Sequence, residues 1–186
     1  MFKGVLKLRK LSTRDLCILA MLIAITAVLS VVSGFLRTPV GKLNVSFVSV
    51  YVGAALFGPV AGGVIGAFAD LLSVWFSSSG APIILFTVIE FINGFLFGIL
   101  FYRSPQSGRR GRMLIAVLAA VCVVLQFVVN LLRVPVLAEL QNLTLMQTFI
   151  TRIPTTTLML FVKFVSIIVI EPYMDNFRNM VLKVRK

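Results

Sequence analysis

The chain has 186 residues, is 59% hydrophobic and only 13% charged, and has a mean hydropathy of +1.05. A soluble domain of this size cannot hide so much apolar surface, so the solvent of the fold is lipid. With no His, six acidic residues and two cysteines that both fall in apolar segments, Cys17 and Cys122, most catalytic and metal-binding constellations cannot be assembled.

Most of the 18 Lys and Arg residues fall in three clusters: the N-terminal tail, residues 103–112 and the last nine positions. Basic residues stay on the cytoplasmic side when a helical membrane protein inserts. All three clusters therefore face the cytoplasm, both termini lie inside, and an even number of crossings separates neighbouring clusters. The net charge of +12 serves topology and anionic headgroups; it does not line a polar face, and nucleic acid is not expected as a partner.

A spanning helix needs about 20 apolar residues. Span 1 is predicted over 16–36; it is too long for the core of a secretory signal, and further spans follow. A polar, breaker-rich stretch, Arg37-Thr38-Pro39-Val40-Gly41-Lys42-Leu43-Asn44, then emerges outside. A short apolar helix over 45–57 is stopped by Gly58-Pro59, and a glycine-rich third helix covers 60–76. Spans 4 and 5 cover 83–102 and 113–132, on either side of the basic loop. An outer loop is expected over 133–152, containing Pro135, Glu139, Gln141 and Asn142, and span 6 runs over 153–171 to Glu171-Pro172. The fold expected is an all-α membrane protein, one compact bundle of six transmembrane helices forming a single domain over 1–186. A re-entrant pair formed by 45–57 and 60–76 would keep the same parity.

Ala20 and Ala24, with Ala27 close to the same face, give span 1 a small-residue surface, and Gly62 and Gly66 do the same for the third helix. Small residues at that spacing let helix backbones approach, which is a principal source of association in lipid. The glycine pair reads as packing inside the bundle. The alanines read either as internal packing or as a docking face for another membrane subunit.

Asp70, Glu90 and Lys163 stand within apolar spans. A charge at bilayer depth costs at least about 2.5–3.5 kcal/mol and needs a partner or a wet cavity. Lys163 either neutralises Asp70 or Glu90, or the three form a polar floor beneath a solute pocket open to the outside. Above them, Arg37, Lys42, Asn130, Arg133 and Arg152, with Gln147 and Thr151 nearby and Phe47 in the next helix, make an outward set rich in cations and amides. Arg presents a planar fork to carboxylates, and Asn offers both donor and acceptor to a heteroaromatic edge. An anionic, ring-bearing solute suits that set. The alternative for Arg133 and Arg152 is that they snorkel to headgroups at helix ends.

Leu11-Ser12-Thr13-Arg14-Asp15 leading into Ala20-Met21-Leu22-Ile23-Ala24, the segment Lys42-Leu43-Asn44-Val45-Ser46-Phe47, and the long run from Leu56-Phe57-Gly58-Pro59 through Gly62-Gly63 and Gly66 to Asp70-Leu71-Leu72 carry a resemblance. Together they resemble the substrate-capture (S) component of an energy-coupling factor (ECF) vitamin importer, over nearly the whole chain. Phe86-Thr87 with Asn93-Gly94, Asn130 in its Val-Asn-Leu-Leu context, and Arg152 after the long stretch resemble the folate branch. Asn93, Glu90, Lys163 and Leu131 depart from that branch and alter the charge deep in the pocket.

The resemblance implies a high-affinity substrate-binding subunit for folate or a related vitamin in a prokaryotic cell membrane. It implies docking through Ala20, Ala24 and Ala27 onto a membrane-coupling T subunit, energised by two cytoplasmic ATPases. Substrate would be held by Arg37, Phe47, Glu90, Asn93, Asn130, Arg133, Arg152 and Lys163. No Walker-type Gly-x-x-x-x-Gly-Lys occurs, so the chain is not expected to be an enzyme, and no cofactor or metal is expected. Another vitamin (riboflavin, pantothenate or thiamine) and a stand-alone ion-coupled transporter using Asp70, Glu90 or Lys163 remain as alternative readings of the same residues.

Overall fold

The computed structural model describes residues 12–35, 37–38, 41–42, 45–77, 84–102, 108–141 and 144–183. The fold is all-α, with a two-residue hairpin as its only β-structure among the described residues. In chain order it comprises α1 (Thr13–Phe35), β1 (Arg37–Thr38), β2 (Gly41–Lys42), α2 (Phe47–Phe57), α3 (Pro59–Ser77), α4 (Ile84–Phe101), α5 (Gly108–Leu131), α6 (Arg133–Gln141) and α7 (Leu145–Lys183). Among the described residues, four stretches are long and apolar enough to cross a membrane: Thr13–Ser33, Ile84–Phe101, Met113–Glu139 and Leu145–Met174.

Helix α1 begins with a capping interaction. The Ser12 amide donates to Asp15 Oδ2 at 3.1 Å, so the carboxylate satisfies an orphan N–H and lies at the positive end of the helix dipole. At the other end, Ser33 Oγ donates to Leu29 O at 2.6 Å and accepts from the Val45 amide at 3.2 Å. That hydroxyl ties the end of α1 to the start of α2 across the β1–β2 hairpin, in which Arg37 is opposite Lys42.

Helix α2 has 11 residues, about 16 Å at the helical rise, and cannot span a bilayer. It survives because protein shields it: Phe47, Ser49, Val50, Tyr51, Gly53, Ala54 and Ala55 are all buried. Tyr51 packs edge-on against Phe97 and Phe101, with ring centroids 5.6 and 5.2 Å apart. At Gly58, φ is +102°, a conformation open to glycine and not to side chains with a Cβ; it turns the chain directly from α2 into α3.

The tightest seam is α3 on α4. A Cβ on Gly62 would stand 2.5 Å from Gly94 O, and one on Gly66 would stand 2.6 Å from Glu90 O. Gly94 meets the Gly62 backbone in return, and Gly98 meets Pro59. The expected role of Gly62 and Gly66 in internal packing holds, and Gly94 and Gly98 are their counterparts. The outer surfaces are apolar instead: Val117, Val121, Val124 and Val128 of α5 follow helical spacing and are all exposed, forming a lipid-facing stripe.

Two segments differ from the sequence expectation. Residues 133–152, expected as a loop, hold α6 and the first turns of α7. Pro135 does not break α6 because it falls in the first turn, where its missing N–H would have had no partner. The last helix does not close at Glu171-Pro172; it continues through Pro154 and Pro172 to Lys183. Its 39 residues reach about 58 Å, so its basic end extends well past the hydrocarbon layer.

Because the α3–α4 seam leaves no room for a side chain, Gly66→Leu should lower stability by about 1–3 kcal/mol or more through overpacking. Val124→Leu on the lipid face should leave it unchanged. Thermal unfolding of the two variants in detergent checks this; equal melting temperatures would contradict the seam.

Candidate functional site

A cavity of about 210 Å³ lies among α2, α4, α5, α6 and α7. Its lining residues come from the N-terminal parts of α2 and α7, the middle of α4 and the C-terminal part of α5. It therefore sits toward the end of the bundle away from the N-termini of α1 and α5 and the C-terminal part of α7. Each helix delivers its residues by period: Glu90, Asn93 and Phe97 on α4, Gln126 and Asn130 on α5, and Thr156, Met159, Leu160 and Lys163 on α7 share a face at three- and four-residue spacing. Ser46, Phe47 and Val50 close one side, and Val134 and Leu137 of α6 close another.

Two polar linkages hold the cavity together. Arg133 Nη2 donates to Glu90 Oε1 at 2.6 Å in an ion pair whose side chains are both about three-quarters buried. Arg133 also lies over the Phe86 ring at 5.4 Å. Deeper in, Lys163 Nζ donates to Gln126 Oε1 at 2.8 Å, and Gln126 Nε2 donates to the Asn93 carbonyl at 3.2 Å. This chain joins α7, α5 and α4 through a fully buried amide. Lys163 also stands 5.9 Å from the centre of the Phe47 ring. Asn130 turns its Nδ2 back to Gln126 O at 2.7 Å.

Of the residues expected at a binding site, Phe47, Glu90, Asn93, Asn130, Arg133 and Lys163 all line this one cavity. The side chains of Arg37 and Arg152 lie outside the described residues. Arg133 does not snorkel to headgroups; it pairs with a carboxylate 43 residues earlier. Nor does Lys163 neutralise Asp70 or Glu90 by a direct ion pair, since Glu90 is held by Arg133 and Asp70 accepts from Thr87 Oγ1 at 2.9 Å, away from the cavity. Gln126 was missed: its signal was a lone amide inside an apolar span, one helical turn before Asn130. On α1, Ala20 and Ala24 are exposed while Ala27 is buried, because the outer half of α1 packs inward beside Thr26 and Ser30. Ala27 therefore belongs to the bundle and not to a free face.

Chemically, the cavity combines two cations and one carboxylate with apolar walls and unfilled hydrogen-bonding capacity. Asn93 Oδ1 and Arg133 Nε are buried without a hydrogen-bond partner among the described residues. A protein leaves such groups unpaired at a cost of about 1–3 kcal/mol each, so they mark places where a solute completes the bonding. No cluster of three or more metal-ligating residues occurs among the described residues.

A family model described as the substrate-specific component of the ECF transporter matches residues 14–171. Among curated proteins, the folate transporter FolT of Clostridium novyi (strain NT) is 29% identical over 75 residues, 40% of this chain and 44% of that protein. The aligned stretch thus spans less than half of that relative's length. Among solved structures, a crystal structure of FolT bound with folic acid is similar with a TM-score of 0.66 and 20% identity, covering 84% of this chain and 91% of that one. At that identity the likeness establishes the fold.

The Glu90–Arg133 pair should couple α4 to α6. A double-mutant cycle of Glu90→Gln and Arg133→Gln, read by unfolding in detergent, should give a coupling energy of about 0.5–3 kcal/mol. Strict additivity would show that the pair contributes nothing.

Proposed function

The chain belongs to the ECF transporter substrate-specific components, and from that premise we propose that it captures folate or a closely related ring-bearing vitamin from the outer face of a prokaryotic plasma membrane. In this reading the protein is multi-pass with both termini in the cytoplasm, as the three basic clusters require. The observation that carries it is the cavity itself: apolar walls around Glu90–Arg133 and Lys163–Gln126–Asn93. A net positive, acceptor- and donor-bearing recess in an apolar frame suits a solute that has a planar heteroaromatic head and negative charge.

The likeness to a folic acid-bound relative supports folate as cargo. The cavity volume of about 210 Å³ is below the roughly 300–1,000 Å³ that encloses a drug-sized ligand. It therefore takes a ring-sized head and leaves the remainder of a longer molecule toward the mouth.

Without a nucleotide-binding loop, the energy for release comes from elsewhere: a membrane-coupling T subunit and two cytoplasmic ATPases. Exposed Ala20 and Ala24 on α1 form the surface on which that subunit docks, since small residues permit backbone approach in lipid.

Two measurements test the reading. Purified protein titrated with folic acid, riboflavin, thiamine and pantothenate should bind folic acid in the nanomolar range without ATP or ions; binding of none of the four would overturn it. The Ala20→Leu/Ala24→Leu variant should lose vitamin uptake in cells carrying the coupling subunits while retaining its binding affinity. Normal uptake would remove α1 from the docking surface.

A further inference from the structure

Among the described residues, three charged side chains line the cavity, Glu90, Arg133 and Lys163, and two of them are committed to each other. Arg133 Nη2 donates to Glu90 Oε1, and both side chains keep about a quarter of their surface exposed. The pair is therefore part of the cavity wall and is not sealed in the core. The carboxylate also lies within electrostatic reach of Lys163. Two cations less one carboxylate leave the lining with a net charge of +1, and that charge belongs to Lys163, whose hydrogen-bond partner Gln126 is neutral.

Arg133 is not saturated by Glu90. Its Nε is buried without a hydrogen-bond partner among the described residues. A second carboxylate accepting from that Nε would bring two anions onto one guanidinium. In a medium of low effective dielectric, like charges a few ångström apart repel strongly. An uncharged carbonyl oxygen takes the same N–H without that repulsion. Selective sites combine an attractive group with a repulsive one, and here a single ion pair supplies both. We propose that Glu90 sets the charge selectivity of the cavity: by cancelling Arg133 it makes that residue a donor to uncharged acceptors and holds down the affinity for anionic groups. The proposal rests on the capture function proposed above and adds the residue that limits how much negative charge a solute brings with it. A Glu90 that served only to let Arg133 be buried in lipid would affect stability and leave ligand preference alone.

The test is an equilibrium titration of the full-length protein in detergent with folic acid and with its diamide, in which carboxamides of the same shape replace both carboxylates. The readout is the ratio of the two affinities, in which losses of shared contacts cancel. Glu90→Gln restores the charge of Arg133 and should move the ratio toward the acid by roughly ten-fold. Arg133→Gln leaves Glu90 uncompensated and should move it toward the diamide by a similar factor. The double variant has the wild-type net charge, so its ratio should return to within about three-fold of the wild-type value, whatever its absolute affinity. An unchanged ratio in both single variants, or a shift of the same sign in both, would overturn the proposal. The wild-type protein itself should prefer the acid by no more than about ten-fold. A larger preference would mean that anionic charge is seated on Arg133 despite Glu90, and would overturn the proposal without any variant. If the wild-type protein bound neither compound, the capture reading would fail and the proposal with it.

Discussion

The backbone contact between α3 and α4 is the constraint on which the rest of the molecule depends. Lipid tails are as apolar as the side chains they would replace, so no hydrophobic pressure drives these helices together. Close van der Waals approach must do so, and only glycine allows it. Gly62 and Gly66 rest on the backbone of Gly94 and Glu90, and Gly98 rests on Pro59. The same contact sets the rotation of α4, so that Glu90, Asn93 and Phe97 on the neighbouring face line the cavity. Packing and site geometry are therefore one decision made at four glycines.

Once α4 is placed, the cost of intramembrane charge shapes what surrounds it. Each ionisable group at depth must find a partner, and the partners come from helices distant in sequence. Arg133, at the start of α6, reaches Glu90 on α4, and Lys163 on α7 reaches Gln126 on α5. These two linkages draw α6 and α7 around the open side of the α2–α3–α4 core. They also leave a recess between them, because Gln126 passes its second bond to the Asn93 backbone and not to its side chain. Two of the buried polar atoms that remain unfilled, Asn93 Oδ1 and Arg133 Nε, belong to residues that line the recess.

Much of this was legible in the sequence, and the remainder was hidden for identifiable reasons. The apolar segments follow from length and from the basic clusters, and Gly62 and Gly66 follow from their spacing. Phe47, Glu90, Asn93, Asn130, Arg133 and Lys163 converge on one cavity as their outward, polar placement suggested. Pairing was not legible: nothing local distinguishes Glu90–Arg133, 43 positions apart, from a lysine partner or from snorkelling. Gln126 was overlooked because a neutral amide costs less at depth than a charge and draws less attention, although it is the hub of the inner network. The helical character of 133–141 was obscured by Pro135, a residue that ends helices in their interior and begins them in their first turn. Ala27 shows the limit of small-residue spacing as a signal, since it shares a face with Ala20 and Ala24 by period but is covered by the fold.

The central claim is that the recess among α2, α4, α5, α6 and α7 receives the ring end of a vitamin. It is tested most directly by determining the structure of the protein with folic acid bound. The account predicts density for the ring inside the recess, among lining residues that include Phe47, Asn93, Phe97 and Lys163, with the Glu90–Arg133 pair intact. Ligand density elsewhere on the protein, or a ligand whose ring lies outside the recess, would contradict it.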